Sequence, residues 1–492
     1  MSYDQNEKEI DAEIDHNDTF AVGKKDTTIT TDTKGSPEDI QNDIDDLQQP
    51  TKNRSKLFLL ISAGNATGQT FLFNFFSAFA VLVGVGSTLL GFITSIRNLM
   101  SALFQGTIGR LSDKIGRRFL LLLGFFMVFS SLVVLIFVNN VAMLIIVSVI
   151  QAFSLSIIIP VWNATLGDVT EIDERASYMG KLSAIGTAIS VSLMLGLAVV
   201  FYLVDEVYNG WYLPKINWTV YIPSRTQYII AFGLAALNFL LCILGVFLLK
   251  ETGIIKDKRK PQPKMFLALK NPTFRKYFII NSVFGLIMAT LWPIFPIAQV
   301  NVLGMTFTEI AVVNAVFSTC SSLAQYFGGK LSDRIGRKPL IIFSRVAMLA
   351  IPLVMIWAIL ANNWLLLLIS NVIGGSAVGA NVVAHNAYLL DISPRDQMGA
   401  YSGLNQMGWG VATFIGSLTA GFIAEEIEAA VGTSQMIIIT FSVIAGLRLL
   451  ASIGYFFIKE SFDKDSRDAL TERRKNGHKI EYTFEDSSAQ TK

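Results

Sequence analysis

The sequence predicts an all-α integral membrane protein, with 12 transmembrane helices in two six-helix bundles related by a pseudo-twofold axis. Three observations carry this. Of 492 residues, 52% are hydrophobic and 16% charged, with 35 Phe and a mean hydropathy of +0.49, whereas soluble domains carry about 25% charged residues. Twelve apolar spans lie between two polar tails, each close to the roughly 20 residues that a bilayer crossing needs. A segment of the first half also returns 220 residues later, and a parallel repeat of six helices implies two similar bundles about an axis along the membrane normal. This composition excludes a soluble enzyme, a nucleic-acid-binding protein and a secreted disulfide scaffold. Cys242 and Cys320 both sit in apolar runs, which offers no disulfide framework.

Residues 1–50 hold 14 Asp/Glu against 4 Lys/Arg. Such a segment buries too little apolar surface to offset its ordering entropy, so a disordered acidic cytoplasmic tail is expected, solvated or engaged with a basic partner. It has no apolar core of its own and reads as no cleavable signal. The N-terminal bundle, residues 51–249, carries spans at 57–79, 88–108, 119–138, 141–163, 180–203 and 227–249. Residues 250–276, with nine Lys/Arg and the Pro261-x-Pro263 pair, read as a cytoplasmic linker. The C-terminal bundle, residues 277–458, carries spans at 277–299, 309–328, 340–361, 364–388, 399–424 and 434–458, and residues 459–492 form a polar cytoplasmic tail. Loops on the linker side, with Lys181 at the edge of the fifth span, hold 20 Lys/Arg against Lys215 and Arg225 on the other side. The positive-inside rule therefore puts both termini in the cytoplasm of a multi-pass cell-membrane protein.

The repeat centres on two short basic segments. Residues 109–118 read Gly-Arg-Leu-Ser-Asp-Lys-Ile-Gly-Arg-Arg, and residues 329–338 read Gly-Lys-Leu-Ser-Asp-Arg-Ile-Gly-Arg-Lys. Asp168 and Asp391 recur at a similar offset, each shortly after a long apolar span. Two copies of Gly-x-x-x-Asp-(Lys/Arg)-x-Gly-Arg-(Arg/Lys), in register with the linker and the charge bias, resemble the signature of the major facilitator superfamily over residues 51–458. Glycines at 109 and 116 suit a tight turn between helix ends, and the acidic and basic residues sit at one level. The resemblance implies that Gly109, Asp113, Gly116, Arg117 and Asp168, with Gly329, Asp333, Gly336, Arg337 and Asp391, form a gate that latches the two bundles on the cytoplasmic side and opens as the cavity turns inward.

Two departures from family patterns stand out. The fourth span reads Ser148-Val-Ile-Gln151-Ala152 where many proton-coupled relatives carry an Arg before Gln-Gly. The fifth span has Gly180, Gly186 and Gly196 but none of the Gly-Pro of drug–proton antiporters. All 16 acidic residues between positions 51 and 458 fall in loops or at span ends, so no midplane carboxylate presents itself as a proton carrier. Arg97, Arg345, Arg448 and His385 remain as intramembrane ionisable groups. Arg97 is 12 residues from Gly109, about 18 Å along a helix, on a stripe with Thr94, Ser101 and Gln105. It reads equally as a cavity-lining anion-binding or gating group and as a side chain bonded to a neighbouring helix. Arg345 and Arg448 read as structural or snorkelling. His385 shares a face with Asn381, and imidazole titrates near neutral pH, though a lone His more often satisfies a structural hydrogen bond.

Neutral polar and aromatic residues mark the expected cavity, since the resemblance implies that helices 1, 4, 7 and 10 line it. Asn65, Gln69, Arg97, Gln151, Trp292, Asn381 and His385 are the candidate substrate-binding residues, and Pro293 and Pro296 can break the seventh helix. No metal-ligand cluster or nucleophile–base pair suggests an enzyme, and no cofactor is implied. The chain is thus expected to be a monomeric alternating-access transporter of a small organic solute, surrounded by membrane lipid. Efflux of an amphipathic compound is favoured, against uptake of a sugar-like or anionic metabolite, or a non-transporting solute sensor.

Overall fold

The computed structural model describes residues 52–138, 140–169, 172–204, 211–213, 218–220, 224–249, 265–394 and 397–461. The acidic tail, most of the linker and nearly all of the C-terminal tail lie outside them. The first half contributes α1 (Lys52–Leu82), α2 (Ser87–Ile115), α3 (Arg117–Ile136), α4 (Val141–Asp168), α5 (Ile172–Tyr202) and α6 (Ser224–Leu248). The second contributes α7 (Pro272–Ala289), α8 (Phe307–Ile335), α9 (Arg337–Ala347, resuming at Ala350–Leu360), α10 (Leu366–Asp391), α11 (Met398–Val431) and α12 (Thr433–Ile453). Among the described residues, ten helices are both long and apolar enough to cross a membrane. The helices α1 and α2 have the length, 31 and 29 residues, but Asn65, Gln69, Arg97 and their polar neighbours dilute their hydropathy.

Outward faces are apolar and the interior is aromatic. Phe71, Phe75, Phe76, Phe79, Phe125, Phe232 and Phe239 are fully enclosed in the first half, while Phe126, Phe247, Phe343 and Leu450 stay exposed. An apolar outer surface suits a lipid solvent and accounts for the composition.

Helix ends follow local chemistry. The Asn140 side chain accepts from Met143 N, and Asn271 accepts from Thr273 N and Phe274 N. Thr306 and Glu309 form a reciprocal capping box at α8. The motif glycines divide in two. Gly116 and Gly336, at φ 105° and 98°, each make the whole turn between consecutive helices, a conformation open to glycine. Gly109 and Gly329 are instead helical, correcting the expectation of a longer turn: α2 and α8 run on to Ile115 and Ile335 because nothing in those segments breaks a helix. Two further differences concern loops. The linker gives way to a 3-10 helix at Met265–Lys270 before α7 begins. The loop after α5 contains a two-stranded antiparallel ladder, Trp211–Leu213 against Trp218–Val220.

The two breaks inside spans have a common logic. Pro293 has no N–H to offer Ala289, four residues earlier, and α7 stops there, resuming as Ile294–Ile297 and a π-helical turn at Ala298–Val302. Pro352 likewise cannot donate to Met348, and α9 is interrupted at 348–349. Carbonyls that lose the donor four residues on take others: Ala289 O accepts from Trp292 N at 3.2 Å and Met348 O from Ile351 N at 3.4 Å, and side chains add to these. The Ser417 hydroxyl donates to Ala289 O at 3.2 Å. Arg448 donates to Met288 O at 3.0 Å and Met348 O at 3.4 Å, bridging both breaks. Arg448 is therefore an interior brace, which corrects the snorkelling alternative for it.

Between the halves, α2 packs on α11 and α5 on α8. A Cβ on Gly91 would lie 2.7 Å from Ser417 O and 3.0 Å from Gly421 Cα, so this approach needs glycine on both helices.

Candidate functional site: a cavity between the halves

The ends of the bundle differ. At the end carrying Ser87 and Phe307 the halves are sealed. Phe307 of α8 stacks on Phe75 at 4.4 Å and meets Phe201 and Tyr228 edge-on, each at 5.2 Å. Hydrogen bonds join the halves there: Thr88 Oγ1 to Gly421 O at 3.2 Å, Ser95 Oγ to Phe414 O at 2.9 Å and Thr308 Oγ1 to Ala198 O at 3.3 Å. Toward the other end, which bears the Gly116 and Gly336 turns and is here called the basic end, the halves part around a cavity of about 790 Å³.

Both halves line that cavity. Asn65, Gln69, Phe73 and Asn74 of α1, Trp162 and Asn163 of α4, and Ser183 of α5 face Ser318 and Gln325 of α8 and Asn386 of α10. Gln69 Nε2 donates to Asn65 Oδ1 at 2.8 Å, a pair four residues apart on one helix face. Among the described residues no lining side chain is charged, and amides dominate the polar part. Such a wall can both donate and accept hydrogen bonds, beside aromatic surface for apolar contact.

Of the expected binding residues, Asn65 and Gln69 reach this wall; the others lie elsewhere. Arg97 is half-buried behind it, its guanidinium carbon 5.2 Å from the Phe73 ring centre and 5.5 Å from that of Phe76. Its Nε has no hydrogen-bond partner. Gln151 is fully enclosed, with neither amide atom hydrogen-bonded. Trp292 sits in the α7 break. Asn381 is buried with its Oδ1 unpartnered. His385 belongs to a network inside the second half: its Nδ1 bonds the Tyr277 hydroxyl and its Nε2 lies 3.3 Å from Asn405 Nδ2.

That network ends on Arg345, which is 2% exposed and so corrects the snorkelling reading. Asn281 Oδ1 accepts from Arg345 Nη2 and from the Tyr455 hydroxyl, both at 3.1 Å. The rings of Phe284, Tyr455 and Trp409 surround the guanidinium with centres at 4.3, 5.2 and 5.7 Å. An aromatic box of this kind stabilises a cation without a carboxylate.

The basic end carries the repeated ion pairs. Arg117 contacts Asp168 and the carbonyl of Ala164. Arg337 Nη1 lies 2.7 Å from Asp333 Oδ1, and its Nε 3.3 Å from Asp391 Oδ2. Each of these pairs joins residues of the same half. The side chain of Asp113 lies outside the described residues. Glu460 was not singled out from sequence: its carboxylate accepts from the backbone N–H groups of Arg337 and Lys338, both at 3.0 Å. It thereby caps α9 where Gly336 has no side chain to do so.

Residues that sequence reasoning missed at the wall are Asn74, Ser183, Ser318, Gln325 and Asn386. The available signal was polarity at helical spacing: Ser318 and Gln325 are seven residues apart on one face of α8.

Comparison with known proteins agrees with this architecture. The family model described as Major Facilitator Superfamily matches residues 58–286 and 277–479. The chain is 23% identical over 366 residues to the MFS-type transporter MJ1560 of Methanocaldococcus jannaschii, covering 73% of this chain and 88% of the relative. It is 28% identical over 195 residues to the multidrug resistance protein MdtG of Salmonella arizonae, covering 39% of this chain and 45% of the relative. Its fold matches the crystal structure of the nucleoside transporter NupG with a TM-score of 0.64 at 13% identity, covering 82% of this chain and 99% of that one. With two in-register copies of the motif, a cavity between two six-helix halves and a family match over most of its length, the chain belongs to the Major Facilitator Superfamily.

Proposed function

We propose that this protein moves a small, uncharged, amphipathic organic solute across the cell membrane by alternating access, in the direction of efflux. The observation carrying the reading is the amide-rich, aromatic-walled cavity, which among the described residues has no charged lining side chain. A charged solute would forfeit hydration there with no counter-charge in return. A neutral one can exchange water for the amides and bury its apolar part on Phe73 and Trp162. The similarity to multidrug resistance proteins supports export, and the basic loops support cytoplasmic termini and an inward-facing state. The gate is assigned to Gly116, Arg117 and Asp168 with Gly336, Arg337, Asp333 and Asp391, and Asp113 completes it by repeat. A single chain encloses the cavity, in keeping with a monomer.

A second reading, uptake of an anionic metabolite, draws on Arg97 alone, one aromatic ring behind the wall. A thermal-shift panel on purified protein separates the two, with chloramphenicol as neutral amphipath, fluorescein as anion and ethidium as cation. Flux of the stabilising compound in proteoliposomes at two values of pH follows. The proposal expects the neutral compound to stabilise most and its flux to depend on the cavity residues. Stabilisation by fluorescein alone, lost in Arg97→Gln, would establish the second reading instead.

A further inference from the structure

We propose that an outward-facing groove between α8, α9 and α10 at the basic end binds an anionic phospholipid. Its phosphate would sit on Lys330 and Arg334, with an acyl chain along the wall below. The groove encloses about 750 Å³, close to the volume of the central cavity, and is separate from it. Gln325 of α8 faces the central cavity, whereas Arg334 lies nine residues on, turned by about 180° at 100° per residue. Lys330 and Arg334 are four residues apart and project together from the outer face of the helix.

Both cations are exposed, and among the described residues neither makes an ion pair. The Lys330 ammonium rests 4.9 Å from the centre of the Tyr326 ring. The nearby Asp333 carboxylate is already engaged by Arg337 at 2.7 Å. Two uncompensated positive charges therefore mark the rim of the groove.

Below the rim the wall is apolar. Phe343 is 69% and Val372 47% exposed, while Ala324, Gly328, Ala377 and Ala380 supply the hollow between them. From Arg334 to Ala324 is ten residues, about 15 Å of helix, close to half of the ~30 Å hydrocarbon thickness of a bilayer. A groove one leaflet deep, apolar along its length and doubly basic at its mouth, matches a phospholipid in charge, polarity and length. Basic pockets between membrane helices recognise anionic headgroups by this combination. The inference is independent of which solute the central cavity carries.

Native mass spectrometry tests it on the purified full chain, equilibrated in detergent with equal amounts of dioleoyl phosphatidylglycerol and dioleoyl phosphatidylcholine. Wild type should retain phosphatidylglycerol several-fold over phosphatidylcholine. The double variant K330Q/R334Q should lose that preference. Lys276→Gln, which removes a basic residue near the Phe457 ring instead, should keep it. Ser376→Phe, which fills the groove without touching either cation, should lower retention of both lipids. Millimolar inorganic phosphate should not displace the bound lipid. The proposal is overturned if K330Q/R334Q keeps the preference, if Ser376→Phe leaves retention unchanged, or if phosphate alone competes the lipid away.

Discussion

Gln69 and Asn65 hold one another at 2.8 Å on the cavity wall, so a solute entering between them finds amides already oriented by α1. A hydrogen bond of this type contributes about 0.5–1.5 kcal/mol net. Gln69→Ala should therefore weaken binding of a stabilising neutral solute by roughly 2- to 13-fold, read by titration calorimetry, with little change in thermal stability. Gln151 makes a useful contrast. Its amide is fully enclosed and makes no hydrogen bond, and a buried amide without partners is a cost that an apolar side chain of similar shape avoids. Gln151→Met is expected to leave flux unchanged and the unfolding midpoint equal or higher; a loss of flux at unchanged expression would place Gln151 in the transport path. The difference was hidden in the sequence because both glutamines sit among apolar residues at helical spacing. Only the packing of α4 shows that one of them points away from the opening.

Arg448 ties the breaks of α7 and α9 together by donating to Met288 O and Met348 O. Arg448→Met takes a donor from Met288 O and leaves Met348 O with only the 3.4 Å bond from Ile351 N; an unmet buried carbonyl costs about 1–3 kcal/mol, so the unfolding midpoint should fall by several degrees. Arg448→Lys can reach one carbonyl at a time and should restore part of the loss; equal midpoints for both variants would contradict the brace. Pro293 announced the break in α7, whereas Pro296, also expected to break that helix, lies inside the short helix Ile294–Ile297 and Pro352 went unremarked; the chain announced Arg448 as an odd charge in an apolar span. Their partnership spans about 100 residues or more, which no local pattern encodes. The motif shows the same division. Gly116 and Gly336 were legible as turns because each lies between two helical segments. Gly109 and Gly329 looked alike in sequence, yet they sit where helical hydrogen bonds simply continue. A close approach of helices is a further element-scale feature. Gly421→Leu would drive a side chain into Ser87 O and Gly91, forcing α2 from α11. In a C242S/C320S background, a Cys at Ser318 should then react more slowly with an impermeant thiol reagent from the basic side. An unchanged rate would mean that this contact does not hold the observed conformation.

The molecule as a whole is two helical halves sealed at one end by Phe307 and the α2–α11 contact, and parted at the other around the 790 Å³ cavity. Composition, span count, charge bias and repeat made the architecture legible, since each reflects a bilayer solvent acting on every residue of a span. The occupant of the cavity was less legible, because a handful of polar side chains on five helices form its wall. The central claim is that solute binding exchanges the open end for the closed one. Distances by double electron–electron resonance test it most directly, with one spin-label pair at Val169→Cys and Leu390→Cys near the basic end and another at Leu82→Cys and Val431→Cys near the other. Saturating neutral solute should shift the first pair toward shorter and the second toward longer distances. Unmoved pairs, or both moving in the same sense, would contradict alternating access.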